Sequence, residues 1–201
     1  MAVRSLFHTL LYQAALDDAA LLAELDDACR AIADEDEAGR RWCAQHEYRG
    51  YTSYASLDDL TKRDPRFAEL KRHLDRHAGR FADASAMELG RRRLKLDSLW
   101  VNILEPGTAH PGHIHPLSAV SGTLYVAVPE GAGRLKLEDP RLPLMMAAPA
   151  RREDAPEQLR PFVHLDPAPG TLLMWESWLR HEVTAGDADG ERISVSFNYR
   201  V

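Results

Sequence analysis

Residues 110–125 read HPGHIHPLSAVSGTLY, with His113 and His115 one residue apart. Side chains at i and i+2 of a strand point to one face. If HIH is extended, the two imidazoles therefore converge on one point. Pro116 favours this, because the residue before a proline is pushed toward extended geometry. An H-x-H pair with a distant third histidine is a usual way to hold iron, copper, zinc or nickel at the open end of a small β-barrel. The pair alone reads equally well as a histidine-rich surface loop. His110 lies an odd number of residues from both, so it is expected to face the other way on a strand and is the weaker ligand candidate.

Around this stretch the chain reads as β-structure. Residues 93–104, RLKLDSLWVNIL, alternate over part of their length. Short strands punctuated by Gly and Pro are expected at 120–128, 133–138, 161–165, 171–176, 181–184 and 191–199. Between Pro140 and Pro161, a long segment with Met145, Met146 and many prolines and alanines has no period and reads as a loop or lid.

Before Gly90 the pattern is different. Residues 4–13 read as a first strand or extended entry. Leu21, Leu22, Leu25, Cys29 and Ile32 recur at helical spacing, and Gly39 with the polar run before it is expected to end that helix. Residues 42–56, aromatic and turn-rich, read as a loop. Asp64-Pro65 then opens a second helix, with Asp64 as cap and Pro65 in the first turn. Its apolar stripe is Phe67, Leu70, Leu74 and Phe81; its other face, with Lys71, Arg72, Asp75, Arg76 and Arg80, is basic and solvated. The sum is a helical support region over residues 1–90, packed on an all-β sandwich or barrel over 91–201, one structural domain in all.

Two blocks near the C-terminus bear on the histidine pair. The first, MWESWLRHEV, carries His181. In the second, ERISVSFN, Arg192, Ser194, Ser196 and Asn198 alternate with Ile193, Val195 and Phe197. If the apolar face packs outward, a guanidinium and hydroxyls line the interior. An arginine buried there needs an acidic partner, either a structural Asp or Glu or the carboxylate of a ligand held bidentately.

The totals set outer limits. A chain of 201 residues buries a sizeable core without staples. Cys29 and Cys43 form no C-x-x-C and suit a reducing cytosol, so the expected location is cytoplasmic. No apolar run is long enough to cross a bilayer. The patch in MAVRSLFHTLLYQAAL is broken by His8, Thr9 and Gln13 and reads as mature protein. A net charge of -6 argues against a nucleic-acid partner. A homodimer is left open, since no heptad or evident patch demands one.

The H-x-H…H…R-x-S layout resembles the Fe(II)/2-oxoglutarate-dependent dioxygenases. More closely, WVNILEPG, HIHPLSAVSGTLYVAVP, LEDPR, PGTLLMWESWLRHEV and RISVSFN resemble a bacterial and phage group of 2OG-Fe(II) oxygenases of unassigned substrate. The likeness covers roughly residues 97–200 well and the N-terminal half loosely. It implies a mainly β fold with N-terminal helices, the core being a double-stranded β-helix, a cupin-like jelly roll. It implies Fe(II) on His113 and His181, and Arg192 and Ser194 on the C5 carboxylate of 2-oxoglutarate. His115 stands where the wider superfamily has a carboxylate. It is expected to ligate, against a reading in which His113 and His181 act alone with water in the third place. Tyr125, Asn102 and Asn198 are further cosubstrate candidates, with core packing the alternative for Tyr125. Trp175 and Trp178 are expected to pack the hairpin that carries His181.

The implied reaction is hydroxylation of a C–H bond of a small-molecule or peptide substrate with O2, releasing succinate and CO2. Two rivals stand beside it. One is a cupin-type metalloprotein that does not use 2-oxoglutarate. Gly107 followed six residues later by HIH suits it, but Pro116 to Tyr125 lacks the acidic residue and His181 follows Gly170 too distantly. The other is a non-catalytic binding protein on the same barrel.

Overall fold

The segments read as β-structure become strands in a computed structural model that describes residues 1–201. The main ones are β3 (Lys95–Leu104), β5 (Val120–Ala127), β8 (Thr171–Glu176) and β10 (Arg192–Arg200). They stand side by side in the order β8-β5-β10-β3. Two short N-terminal strands, β1 (Leu11–Ala15) and β2 (Gly50–Thr52), extend this sheet at its two edges, so the support region is hydrogen-bonded into the core. A second sheet holds β4 (His110–His113), β6 (Leu135–Glu138), β7 (Phe162–Leu165) and β9 (His181–Val183), in the order β4-β9-β6-β7. All strand pairings are antiparallel. From β3 to β10 the chain weaves between the sheets in the order of a double-stranded β-helix, as the motifs imply.

The large sheet has two unlike faces. Val101 and Ile103 of β3, Val120 and Leu124 of β5, Met174 of β8, and Val195 and Phe197 of β10 all join one apolar cluster with the helices. Residues between them point the other way, toward the small sheet. Gly122 is needed on β5, because a Cβ there would lie 2.4 Å from both the Leu173 carbonyl oxygen and the Phe197 ring. The missing side chain leaves room for the Phe197 ring.

Three helices cover the outer face. In α1 (Ala19–Glu35), Asp18 caps the N-terminus by accepting from the Leu21 N–H at 2.9 Å. In α3 (Pro65–Ala84), Asp64 accepts from the Arg66 N–H at 2.8 Å, and Phe67, Leu70, Leu74 and Phe81 are buried as the stripe requires. Several readings of the N-terminal half need correction. The first strand begins at Leu11, and the ten residues before it are exposed. The first helix stops at Asp36, not at Gly39. Gly39 lies inside α2 (Glu37–Gln45), where a Cβ would sit 2.2 Å from Asp36 Oδ2. Residues 42–56 are not all loop: α2 runs through Gln45, and β2 pairs with β3. Asp36 makes both possible. Its carboxylate caps α2 through the Gly39 N–H at 3.0 Å and accepts from the Tyr51 hydroxyl at 2.8 Å and from Ser56. Between Pro140 and Pro161 the chain makes two single 3-10 turns, Leu142–Leu144 and Glu157–Leu159, and is otherwise irregular.

Candidate metal centre and anion pocket

Antiparallel pairing of β4 with β9 sets His113 directly opposite His181. His115 lies just beyond β4, in the turn through Pro116 and Leu117. Its backbone N–H donates to the Ser177 carbonyl at 3.0 Å, which ties that turn to the loop leading into β9. The three imidazoles come together, each offering one nitrogen within 4.8 Å of the others.

Their tautomers follow from their neighbours. His113 Nδ1 lies 2.8 Å from the Pro111 carbonyl oxygen, and His181 Nδ1 lies 2.9 Å from that of Leu179. His115 Nδ1 lies 2.8 Å from Asn198 Oδ1. All three partners can only accept, so each ring carries its proton on Nδ1 and leaves Nε2 bare. The Nε2 atoms of His113 and His115 then face each other at 3.2 Å, two lone pairs with no proton between them. That contact is unfavourable by itself and suits a cation: two cis nitrogen ligands about 2.1 Å from a metal sit about 3 Å apart. Burial pushes His115 down to about 4 and His181 to about 3, with His113 beside each adding to the effect. Burial lowers His113 as well. At neutral pH the cluster is uncharged, as metal ligands must be.

His110 corrects an expectation. The β4–β9 register shifts between His110 and His113, a bulge that turns His110 to the same side as the others. Its ring centre is 4.7 Å from that of His113, and its Nδ1 is 3.5 Å from the Tyr48 hydroxyl. It lines the cavity beside the three converging histidines.

On the inner face of β10, Arg192, Ser194 and Ser196 line the same cavity, with Asn102 from β3. Asn102 is held by two hydrogen bonds, accepting from Thr52 Oγ1 at 2.8 Å and donating to Ser196 Oγ at 3.0 Å. Asn198 lies deeper, behind His115. Tyr125 is fully buried under Arg192, whose guanidinium carbon stands 4.8 Å above its ring. Arg192 itself is 5% exposed, makes no ion pair with any Asp or Glu, and its Nε has no hydrogen-bond partner. The Tyr125 hydroxyl and Trp175 Nε1 are likewise buried and unpaired. Trp175 does more than pack the hairpin: it lines the cavity, edge-on to His181 at 4.7 Å, while Trp178 is about half exposed. No Asp or Glu lines the cavity. Tyr48, Trp100 and Thr123 line it without having stood out in the sequence. Tyr48 belongs to a segment with no period, and only the pairing of β2 with β3 brings that segment here.

A family profile described as "Putative 2OG-Fe(II) oxygenase" matches residues 98–198, half of the chain. The chain belongs to this oxygenase family. No curated protein matches it in sequence. Among solved structures it is similar to a Pseudomonas putida prolyl-4-hydroxylase, with 20% identity, a TM-score of 0.63, and 96% of this chain and 94% of that one covered. It is also similar to the epimerase SnoN in complex with Fe3+, alpha ketoglutarate and nogalamycin RO (16% identity, TM-score 0.67, 95% and 78% covered). A third is HygX from Streptomyces hygroscopicus with nickel and 2-oxoglutarate bound (13% identity, TM-score 0.61, 95% and 82% covered). At these identities the likeness speaks to the fold. As a member of the family the chain is an Fe(II)- and 2-oxoglutarate-using oxygenase, and its donor set fits both groups: three bare imidazole nitrogens for the metal, unpaired buried donors for an anion.

Proposed function

We propose that this oxygenase hydroxylates a C–H bond of a small-molecule or peptide substrate, with His113, His115 and His181 holding iron and Arg192 holding 2-oxoglutarate. Arg192 carries the reading. A guanidinium buried without a carboxylate is costly, and the far carboxylate of 2-oxoglutarate supplies the missing partner in bidentate form. A metalloprotein on this barrel without 2-oxoglutarate leaves that charge unexplained.

The residues divide the work. Ser194 adds a hydroxyl beside Arg192. Tyr125 adds a second donor: burial pushes its phenol up, so it keeps its proton. Asn102, fixed at both ends of its amide, holds the polar wall in register through Ser196. Leu104, Leu135 and Val183 close the cavity with apolar surface and keep bulk water away from these donors. Bound here, iron(II) with 2-oxoglutarate and O2 supplies the oxidant for an unactivated C–H bond, releasing succinate and CO2. Substrate approaches from the histidine side, where Ile114, Leu117 and Trp178 are exposed beside the ligands.

The test is spectroscopic. Anaerobic addition of Fe(II) and 2-oxoglutarate to the protein should give a weak visible charge-transfer band. Absence of the band in the intact protein would contradict the proposal.

A further inference from the structure

His113 and His181 need no help from outside their own segments of chain. Each gives its Nδ1 proton to a backbone carbonyl two residues earlier. His115 lies past the end of β4 and makes no such bond to a backbone carbonyl. The oxygen that meets its Nδ1 comes instead from Asn198, 83 positions along the chain on β10. We infer that Asn198 is a positioning residue for the third metal ligand, fixing the tautomer and aim of His115 from behind. This rests on the reading of His115 as a ligand.

The surroundings of Asn198 suit that task. It is 7% exposed. Its Oδ1 also accepts from Ser121 Oγ at 2.8 Å, and its Nδ2 donates to Ser98 Oγ at 3.2 Å. Ser121 Oγ is 2.7 Å from Ser177 Oγ. The amide is therefore held at both ends by serine hydroxyls, with its Oδ1 turned to the His115 ring. Ser177 meets His115 a second time through its carbonyl, so backbone and ring of the ligand are fixed by one connected group. Every member of the group is neutral. The partner of the imidazole is thus an amide, where metal-bound histidines often have a carboxylate that raises ligand basicity.

Cobalt(II) binding to the metal-free protein, followed by visible absorption, tests this. Asn198→Ala should weaken Co(II) binding about ten- to hundredfold, the usual effect of losing such a partner. Asn198→Asp, nearly the same shape, should restore or exceed the original affinity, because a charged acceptor holds the ring proton more strongly. The same Asp should lower the urea midpoint of the metal-free protein, since it buries a charge. A merely structural asparagine would move affinity and stability together, and that result overturns the inference. In a His115→Ala background, Asn198→Ala should have no further effect on Co(II) affinity. If His115→Ala itself leaves Co(II) binding unchanged, the ligand assignment fails and takes this inference with it. If His115→Ala weakens binding and Asn198→Asp does not hold it at or above the original level, only the positioning role fails. Asn198→Asp decides the matter even where Asn198→Ala does not fold.

Discussion

The two faces of the large sheet follow opposite rules. On the outer face Val101, Val120, Val195 and Phe197 meet the helices, and apolar surface is buried against apolar surface. On the inner face, a few ångströms away on the same strands, Arg192, Tyr125 and Trp175 bury polar groups that no protein atom satisfies. One face is built for stability and the other forgoes some stability for a ligand. A structural core does not leave a guanidinium, a phenol and an indole N–H unpaired in one place. Substitutions on the two faces should therefore behave differently.

The largest effect belongs to the outer face. Phe67→Ala, at a fully buried position on α3, should cost about 3–5 kcal/mol of stability in urea unfolding. The affinity of the remaining folded molecules for 2-oxoglutarate should not change. Arg192→Ala should show the reverse. In equilibrium dialysis of the metal-loaded protein, 2-oxoglutarate binding should fall by about 2–5 kcal/mol, the range for losing one side of a buried charge pair. The metal-free protein should be no less stable than before. A drop in stability comparable to that of Phe67→Ala would erase the distinction between the faces.

Trp175→Phe sharpens it further. It removes a buried N–H that has no partner, which favours the fold by about 1 kcal/mol, and part of a buried ring, which costs about as much, so metal-free stability should change far less than in Phe67→Ala. A loss in thermal unfolding as large as that of Phe67→Ala would contradict an unpaired indole N–H.

The smallest effect is acid sensitivity on the helix side. Burial works to raise the Asp36 carboxyl, but hydrogen bonds from Ser56, the Gly39 N–H and Tyr51 outweigh it and hold the group below its ordinary value. A lowered folded value means that its contribution is present above the unfolded value of about 4 and is lost as pH falls through the folded one. Asp36→Asn should flatten the acid limb of unfolding free energy against pH below about 4 and leave 2-oxoglutarate binding alone. An unchanged acid limb would refute the role given to this carboxylate.

What could be read from sequence follows from how local each signal is. β3 and β10 alternate over much of their length, β5 and β8 are short runs bounded by Gly and Pro, and α3 announces itself by Asp64-Pro65 and its apolar stripe. The convergence of His113, His115 and His181 was legible for the same reason, two of the three being neighbours in one motif. His110 was misread because the period-2 rule fails at a bulge, and that bulge depends on the pairing with β9. β2 has three residues and exists only because β3 offers an edge. The break at Asp36 reflects a carboxylate shared by Gly39, Tyr51 and Ser56, which no periodicity encodes. Asn198 was marked as a polar residue of the inner face, but its contact with His115 spans most of the β-core.

The account stands most directly on one measurement: the thermal unfolding midpoint with Ni(II), with 2-oxoglutarate, and with both. If the histidines and Arg192 form two ends of one ligand site, 2-oxoglutarate should raise the midpoint only when metal is present, and Arg192→Ala should remove that increment while keeping the one from Ni(II). No increment from 2-oxoglutarate on the metal-loaded protein, or an equal one in Arg192→Ala, would contradict it.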